Sequence, residues 1–320
     1  MYFIDSEEGG GELTKTKHEK KILPNYINMA WKSGNAFMPV YLLIASIANG
    51  AFVIQSIRDL ITGNNKSDKV VLFALAISEL TWVLPCFIQC FVVFGDFGDG
   101  WEPSIPGTGC DVQGFYSVFA SVSGQALAVP IARLISKNVR GDSNDCVTTT
   151  SLVSALILLC ALIFSCLPFM GVGESAFSGE GFCYFDFTDD VHIVLLEFVS
   201  LTSMILTVYF YIDALTQVTQ ATANRFGLSD LNSLKRWILI MLLNHVVAWF
   251  LWIPAGFMGS QYDSMNDFPT GYMLTGAIFG HAQALVAPLL YGWIYRSWMM
   301  KNYETNSNTT TAKVSLKSHV

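Results

Sequence analysis

Several side chains able to carry charge or to donate hydrogen bonds lie inside long apolar runs, where such groups cost most. They are Asn49 in IANGAFVI, Glu79 in ALAISEL, Gln113 and Gln125, Glu197 and Asp213, the pair Asn244 and His245, and His281. An ionisable residue inside a membrane span tends to face the bundle interior and to mark a functional position. The chemistry on offer is ligand recognition, interhelical pairing or a conformational contact. Gln113 and His281 fall in the outer halves of their runs and, with Glu197 and Trp252, are the ligand-contact candidates. Asn49, Glu79, Trp252, Pro254, Pro288 and Tyr291 form the candidate conformational core. Plain hydrogen bonding between helices is the preferred reading of Asn49, Gln125 and Asn244. Glu79 is read equally as such glue or as an ionic group, and its depth predicts a hydrogen-bonded cluster shared with Asn49. The aromatics Trp249, Phe250 and Trp252 are read as packing, with a pocket floor as the alternative.

Other chemistries lack their residues. There is no Gly-rich phosphate loop, no His-x-x-x-His or Cys-x-x-Cys spacing for a metal, and no duplication between the halves of the chain. The expectation is a protein that is not an enzyme, binds no metal and has no nucleic-acid partner.

The elements that must position these groups follow from composition. Only 13% of the 320 residues are charged and mean hydropathy is +0.44, about half the charge of an ordinary soluble domain. Apolar runs of about 20 residues, enough to span a bilayer, occur at 36–57, 70–94, 111–136, 148–172, 191–217, 236–259 and 271–297. The expected fold class is therefore an all-α membrane protein, a seven-transmembrane-helix bundle. A polar N-terminal tail (1–35) precedes it and a polar tail (298–320) follows. No apolar stretch lies within 1–35, so the first span is expected to serve as the insertion signal.

Orientation follows from Lys and Arg. Arg58, Lys66, Lys69, Lys137, Arg140, Arg225, Lys235 and Arg236 border the connections on one side, and Arg296, Lys301, Lys313 and Lys317 follow the last span. The opposite loops hold no Lys or Arg but carry Asp96, Asp99, Glu102, Glu174, Glu180, Asp186, Asp189, Asp190, Asp263 and Asp267. The N-terminus is expected outside and the C-terminus in the cytoplasm, in the plasma membrane. Of the seven cysteines, Cys110 and Cys183 alone face the oxidising side in this topology. A disulfide between them would pin the second outer loop over the bundle mouth, and such a bond contributes typically about 2–4 kcal/mol.

Cys110-x-x-Gln113-Gly114-Phe115, a Ser at 121 or 123 and then Ile131-Ala132 resemble the third helix of the cyclic-AMP-receptor-like G-protein-coupled receptors of amoebae and fungi. Ile77-Ser78-Glu79-Leu80 is similar to that group's Ile-Ser-Asp-Leu, with Glu79 for the Asp. Phe182-Cys183-Tyr184 resembles its aromatic-Cys-aromatic loop, Trp252-Ile253-Pro254 its sixth-helix Trp-x-Pro, and Tyr291-Gly292 its seventh-helix Tyr-Gly. The likeness covers most of residues 40–297.

There are departures. The Trp usual late in that family's third helix is replaced by the small residues of GQALAV. The Asp-Arg-Tyr of rhodopsin-like receptors is absent, the local sequence being Ile131-Ala132-Arg133-Leu134. A fainter likeness to opsins stops at His281, where their retinal-linking lysine would stand. No lysine lies inside any span, so no retinal Schiff base can form and no cofactor is expected.

The resemblance implies a receptor whose agonist prefers an open form. Helices five and six would swing at their inner ends about Trp252 and Pro254, with Pro288 loosening helix seven. A heterotrimeric G protein would meet Arg133, Lys137, Arg140, Lys235 and Arg236, charges that topology alone would also explain. Rival readings are a small-solute transporter or channel lined by Asn49, Glu79 and His281, and a seven-helix receptor without G-protein coupling. Trp298, Met299 and Met300 could lie on the inner leaflet as a short amphipathic helix. The Ser/Thr-rich tail ends in Ser318-His319-Val320, which resembles a PDZ-domain ligand.

Overall fold

The protein is described from a computed structural model over residues 37–62, 67–94, 108–142, 147–173, 175–178, 182–185, 190–226, 228, 231–259 and 282–298. Its helices are α1 (Phe37–Ile61), α2 (Ser67–Phe94), α3 (Thr108–Arg140), α4 (Val147–Ser165), α5 (Asp190–Gln217), α6 (Leu231–Gly259) and α7 (282–298). A six-residue helix, Gln220–Arg225, lies between α5 and α6, its first turn capped by the Thr219 side chain accepting from Thr222 N–H. This is a seven-helix bundle, as the seven apolar runs require. Among the described residues, α1 to α5 are each long and apolar enough to cross a membrane.

Side-chain placement explains why these runs stay apolar all round. Of the apolar stretch of α3, 67% is buried within the protein, whereas α4 and α5 bury only 22% each. Leu152, Leu156, Leu159 and Ile163 of α4, and Val194, Phe198, Ile205 and Ile212 of α5, therefore face outward. Such a belt suits hydrocarbon and not water. Helix α3 is the pillar: it packs against α2, α4 and α5, while α5 also packs on α6.

Local sequence sets the interruptions. The fourth run was expected to continue to 172, yet α4 stops at Ser165. Pro168 lacks the N–H that would continue the ladder, and the chain turns through a 3-10 segment, Pro168–Met170, into Gly171 at φ 75°. Gly173, at φ 70°, lies where a Cβ would fall 1.9 Å from the His192 ring, so only glycine fits. Next comes the one departure from all-α architecture among the described residues, an antiparallel hairpin of β1 (Ser175–Ser178) and β2 (Phe182–Phe185). It pairs Phe177 with Cys183 and lies against α3.

Helix α6 is α-helical through Pro254 to Gly259. The irregularity falls in α7 instead, where Pro288–Tyr295 is wound as π-helix. Helix α7 also runs on through Trp298, which is buried against Phe226 (ring centroids 5.8 Å). The expected placement of Trp298 on the membrane surface is therefore corrected: its indole closes the end of the bundle. His281, the N-terminal tail and residues 299–320, with their PDZ-like ending, lie outside the described residues.

Candidate functional site

Three polar layers stack along the bundle, from the end carrying the basic connections toward the end carrying the hairpin. At the basic end, charged groups tie helices distant in sequence. Asp59 of α1 accepts from Arg296 of α7 through both Nε (2.6 Å) and Nη2 (2.9 Å), and Lys69 Nζ donates to the Asp59 carbonyl at 2.9 Å. Asn138 of α3 donates to Asp68 of α2 (3.3 Å) and to the Tyr295 hydroxyl of α7 (2.9 Å). Asp213 of α5 accepts from Ser136 and pairs with Arg140, both on α3. Bidentate Arg–carboxylate pairs are the stronger, geometrically specific kind. The basic end is held shut by its own side chains.

The candidate G-protein contacts sit at this end. Arg133, Lys235 and Arg236 are exposed, and Lys137 is half-buried. Arg140 bridges α3 and α5 through Asp213.

The middle layer is aromatic. His245 Nε2 of α6 meets the Tyr291 hydroxyl of α7 at 2.6 Å, and that hydroxyl lies 3.2 Å from the Tyr211 hydroxyl of α5. The His245 ring stacks on Tyr291 (5.8 Å) and leans on Trp249 (5.7 Å). All four side chains are buried, so α5, α6 and α7 share one hub. Tyr291, expected in the conformational core, is one of the four. Tyr211 was not singled out, because a lone Tyr in a span reads as an interfacial aromatic.

The expected cluster of Asn49 with Glu79 is not formed. Asn49 Nδ2 donates instead to the Ala45 carbonyl (2.9 Å) and the Ala284 carbonyl of α7 (2.7 Å). The cause is Pro288, four residues beyond Ala284: proline has no N–H to serve that carbonyl, and Asn49 supplies the donor. Close approach helps, since a Cβ on Gly292 would fall 2.8 Å from the Phe52 ring of α1. Glu79 is buried on the other side of α2, its Oε1 4.0 Å from where a Cβ of Gly124 would stand. Beside it Ser78 and Ser123 join α2 to α3, hydroxyl to hydroxyl, at 2.6 Å.

The third layer is a stripe along α3: Gln113, Ser117, Ser121 and Gln125, spaced by four and all buried. Gln125 Oε1 accepts from Ser200 of α5 at 2.6 Å. One turn nearer the hairpin on α5 is Glu197. Both Glu197 carboxylate oxygens, Gln125 Nε2 and the Ser117 hydroxyl are buried without a hydrogen-bond partner among the described residues. Ser117 escapes sequence reading because a serine in a span can satisfy itself on the preceding turn, as its neighbour Ser121 does on the Ser117 carbonyl (2.8 Å). The side chains of Trp252, Pro254, Cys110 and Cys183 lie outside the described set, although α3 begins ahead of Cys110 and the β2 backbone carries Cys183.

No metal-ligand cluster occurs among the described residues. The sequence matches no known family profile and no curated protein. Among solved structures, the chain is similar to squid rhodopsin, with a TM-score of 0.63 and 15% identity over 85% of this chain and 79% of that one. The shared property is the fold, a seven-helix bundle.

Proposed function

We propose that this chain is a cell-surface receptor that passes the binding of an extracellular ligand to a heterotrimeric G protein. It would sit in the plasma membrane with its N-terminus outside, and belong with the cyclic-AMP-receptor-like group that its motifs resemble. The observation carrying the proposal is the contrast within one bundle. One end is closed by interhelical ion pairs that a partner could open, and the other has buried polar atoms left unanswered. The hub of Tyr211, His245, Trp249 and Tyr291 lies between them on the helices that must move.

Activation in this reading is a population shift. Ligand binding near α3 and α5 repositions α5 and α6, the Asp213 contacts with Ser136 and Arg140 part, and Arg133, Lys137, Arg140, Lys235 and Arg236 meet the G protein. A Cys110–Cys183 disulfide would fasten β2 to the head of α3, and a PDZ-domain protein would take Ser318-His319-Val320. No retinal is bound, for want of a lysine.

The test is co-expression with reporters for each G-protein class, screened against nucleotides, amines, peptides and lipids. Ligand-dependent dissociation of one class, with no ion flux in proteoliposomes, is the expected result. Current or solute uptake in liposomes without any G protein would overturn the receptor reading in favour of transport.

A further inference from the structure

Glu197 is the one carboxylate in the hairpin half of the described bundle whose two oxygens are both closed off from solvent with no donor beside them. Ionising a carboxyl left in that state costs several kcal/mol, a cost that an arriving cation would offset. The connections at 95–107, 174–189 and 260–281 contain no Lys or Arg, and the five lysines of residues 1–35 are matched by five acids. Those connections hold nine of the acids named above, a field that draws cations toward this end and repels anions. Two further orphans flank the carboxylate in height. Gln125, with 6% exposure, points an unused Nε2 donor into the α3–α5 seam beside Ser200, about 4.5 Å below Glu197 at 1.5 Å rise per residue. Ser117, fully buried, offers an unused hydroxyl two turns nearer the hairpin than Gln125.

We propose that this seam binds an organic ammonium ion, with the cation against Glu197 and the ligand's acceptor and donor groups against Gln125 and Ser117. This rests on the receptor reading and names the ligand class for it. An amine would be held by the Glu197 carboxylate; a phosphate ester or carboxylate would set like charge against it.

The full-length chain, purified in detergent, is heated with tyramine, histamine or spermidine, and with 4-hydroxyphenylethanol as the neutral counterpart of tyramine. At least one amine should raise the unfolding midpoint saturably, as a ligand that binds only the folded state does, and the alcohol should not. Glu197→Gln should weaken that amine at least tenfold while leaving the amine-free midpoint unchanged or higher. If Glu197→Gln does not fold, Glu197→Asp, which keeps the charge but withdraws it by one methylene, should weaken the amine by a similar factor.

An amine shift that is undiminished in these variants overturns the proposal, as does the lack of any amine shift across the panel. G-protein reporters separate the two readings. A non-amine agonist that signals equally through Glu197→Gln would remove the ammonium site and leave the receptor standing.

Discussion

The two ends of this bundle treat their buried carboxylates in opposite ways. At the basic end, Asp59, Asp68 and Asp213 each find partners on another helix: Arg296, Asn138 and Tyr295, and Ser136 with Arg140. In the hairpin half, Glu197, Gln125 Nε2 and Ser117 find none among the described residues. Buried polar groups are ordinarily paired, so the first pattern is that of a structural element, and the second is where the proposed ligand would bind. On that proposal, stability and recognition fall at different ends of the same helices. α3 takes part in both, through Asn138, Ser136 and Arg140 at one end and Gln113 to Gln125 toward the other.

The sharpest way to break this contrast is to open the basic end. Asp213→Ala removes an acceptor that serves Ser136 and Arg140 together. Hydrogen bonds to a charged group are worth about 1.5–3 kcal/mol, and Arg140 is 48% exposed, which places the expected effect near the low value. A change of about 1–2 kcal/mol corresponds to a roughly 5–30-fold population change. Ligand-free signalling in a G-protein reporter should rise within that range, at equal surface expression. Unchanged basal output would mean that the Asp213 contacts do not hold the closed form.

Asn49→Ala comes next. It strands the Ala284 carbonyl beneath Pro288, and an unsatisfied buried acceptor costs about 1–3 kcal/mol. The purified protein should unfold at lower temperature. Pro288→Ala should relieve the loss in the double variant, because an alanine N–H can serve Ala284. If Pro288→Ala gives no relief, the link drawn between asparagine and proline is wrong.

A smaller effect on stability is expected in the hairpin half. Gln125→Leu discards an unused donor at the cost of one bond from Ser200. The midpoint should therefore move by less than the equivalent of about 1 kcal/mol, while amine-dependent stabilisation is lost. A drop as large as that of Asn49→Ala would show that Gln125 is a structural strut.

Much of this architecture can be read from the chain alone. A span is a composition over about 20 residues, so seven runs announce seven helices, and Asn49, Glu79 and Glu197 stand out against them. What resists reading is pairing. Asp59 and Arg296 are 237 positions apart, and each, at a helix end, has the look of an ordinary topology charge. Ser136 and Asn138 carry no signal, being unremarkable near a helix terminus. The mistaken pairing of Asn49 with Glu79 came from equal depth, which ignores azimuth: one amide turns to α7, while the carboxylate sits toward α3. The hairpin was missed because four-residue strands in a Gly-rich loop fall below any periodicity.

The smallest effect tests whether basic-end pairs act as a set. Arg296 and Asp59 are partly exposed, at 26% and 15%, so solvent and salt screen them, and an exposed pair contributes about 0.2–1 kcal/mol. The bidentate geometry puts the coupling toward the upper part of that range. A double-mutant cycle of Asp59→Asn and Arg296→Gln, read by thermal unfolding, should give a coupling of about 0.5–1 kcal/mol that shrinks between 0.05 and 0.5 M salt, as roughly expected for a screened pair. The same cycle read by basal signalling decides more. If the ends are specialised as argued, the coupling appears in signalling as well as in stability, because α1 and α7 must part from their neighbours for the basic end to open. Coupling in stability with none in signalling would reduce Asp59–Arg296 to a fastening of α7, and would leave Asp213 to hold the closed form alone.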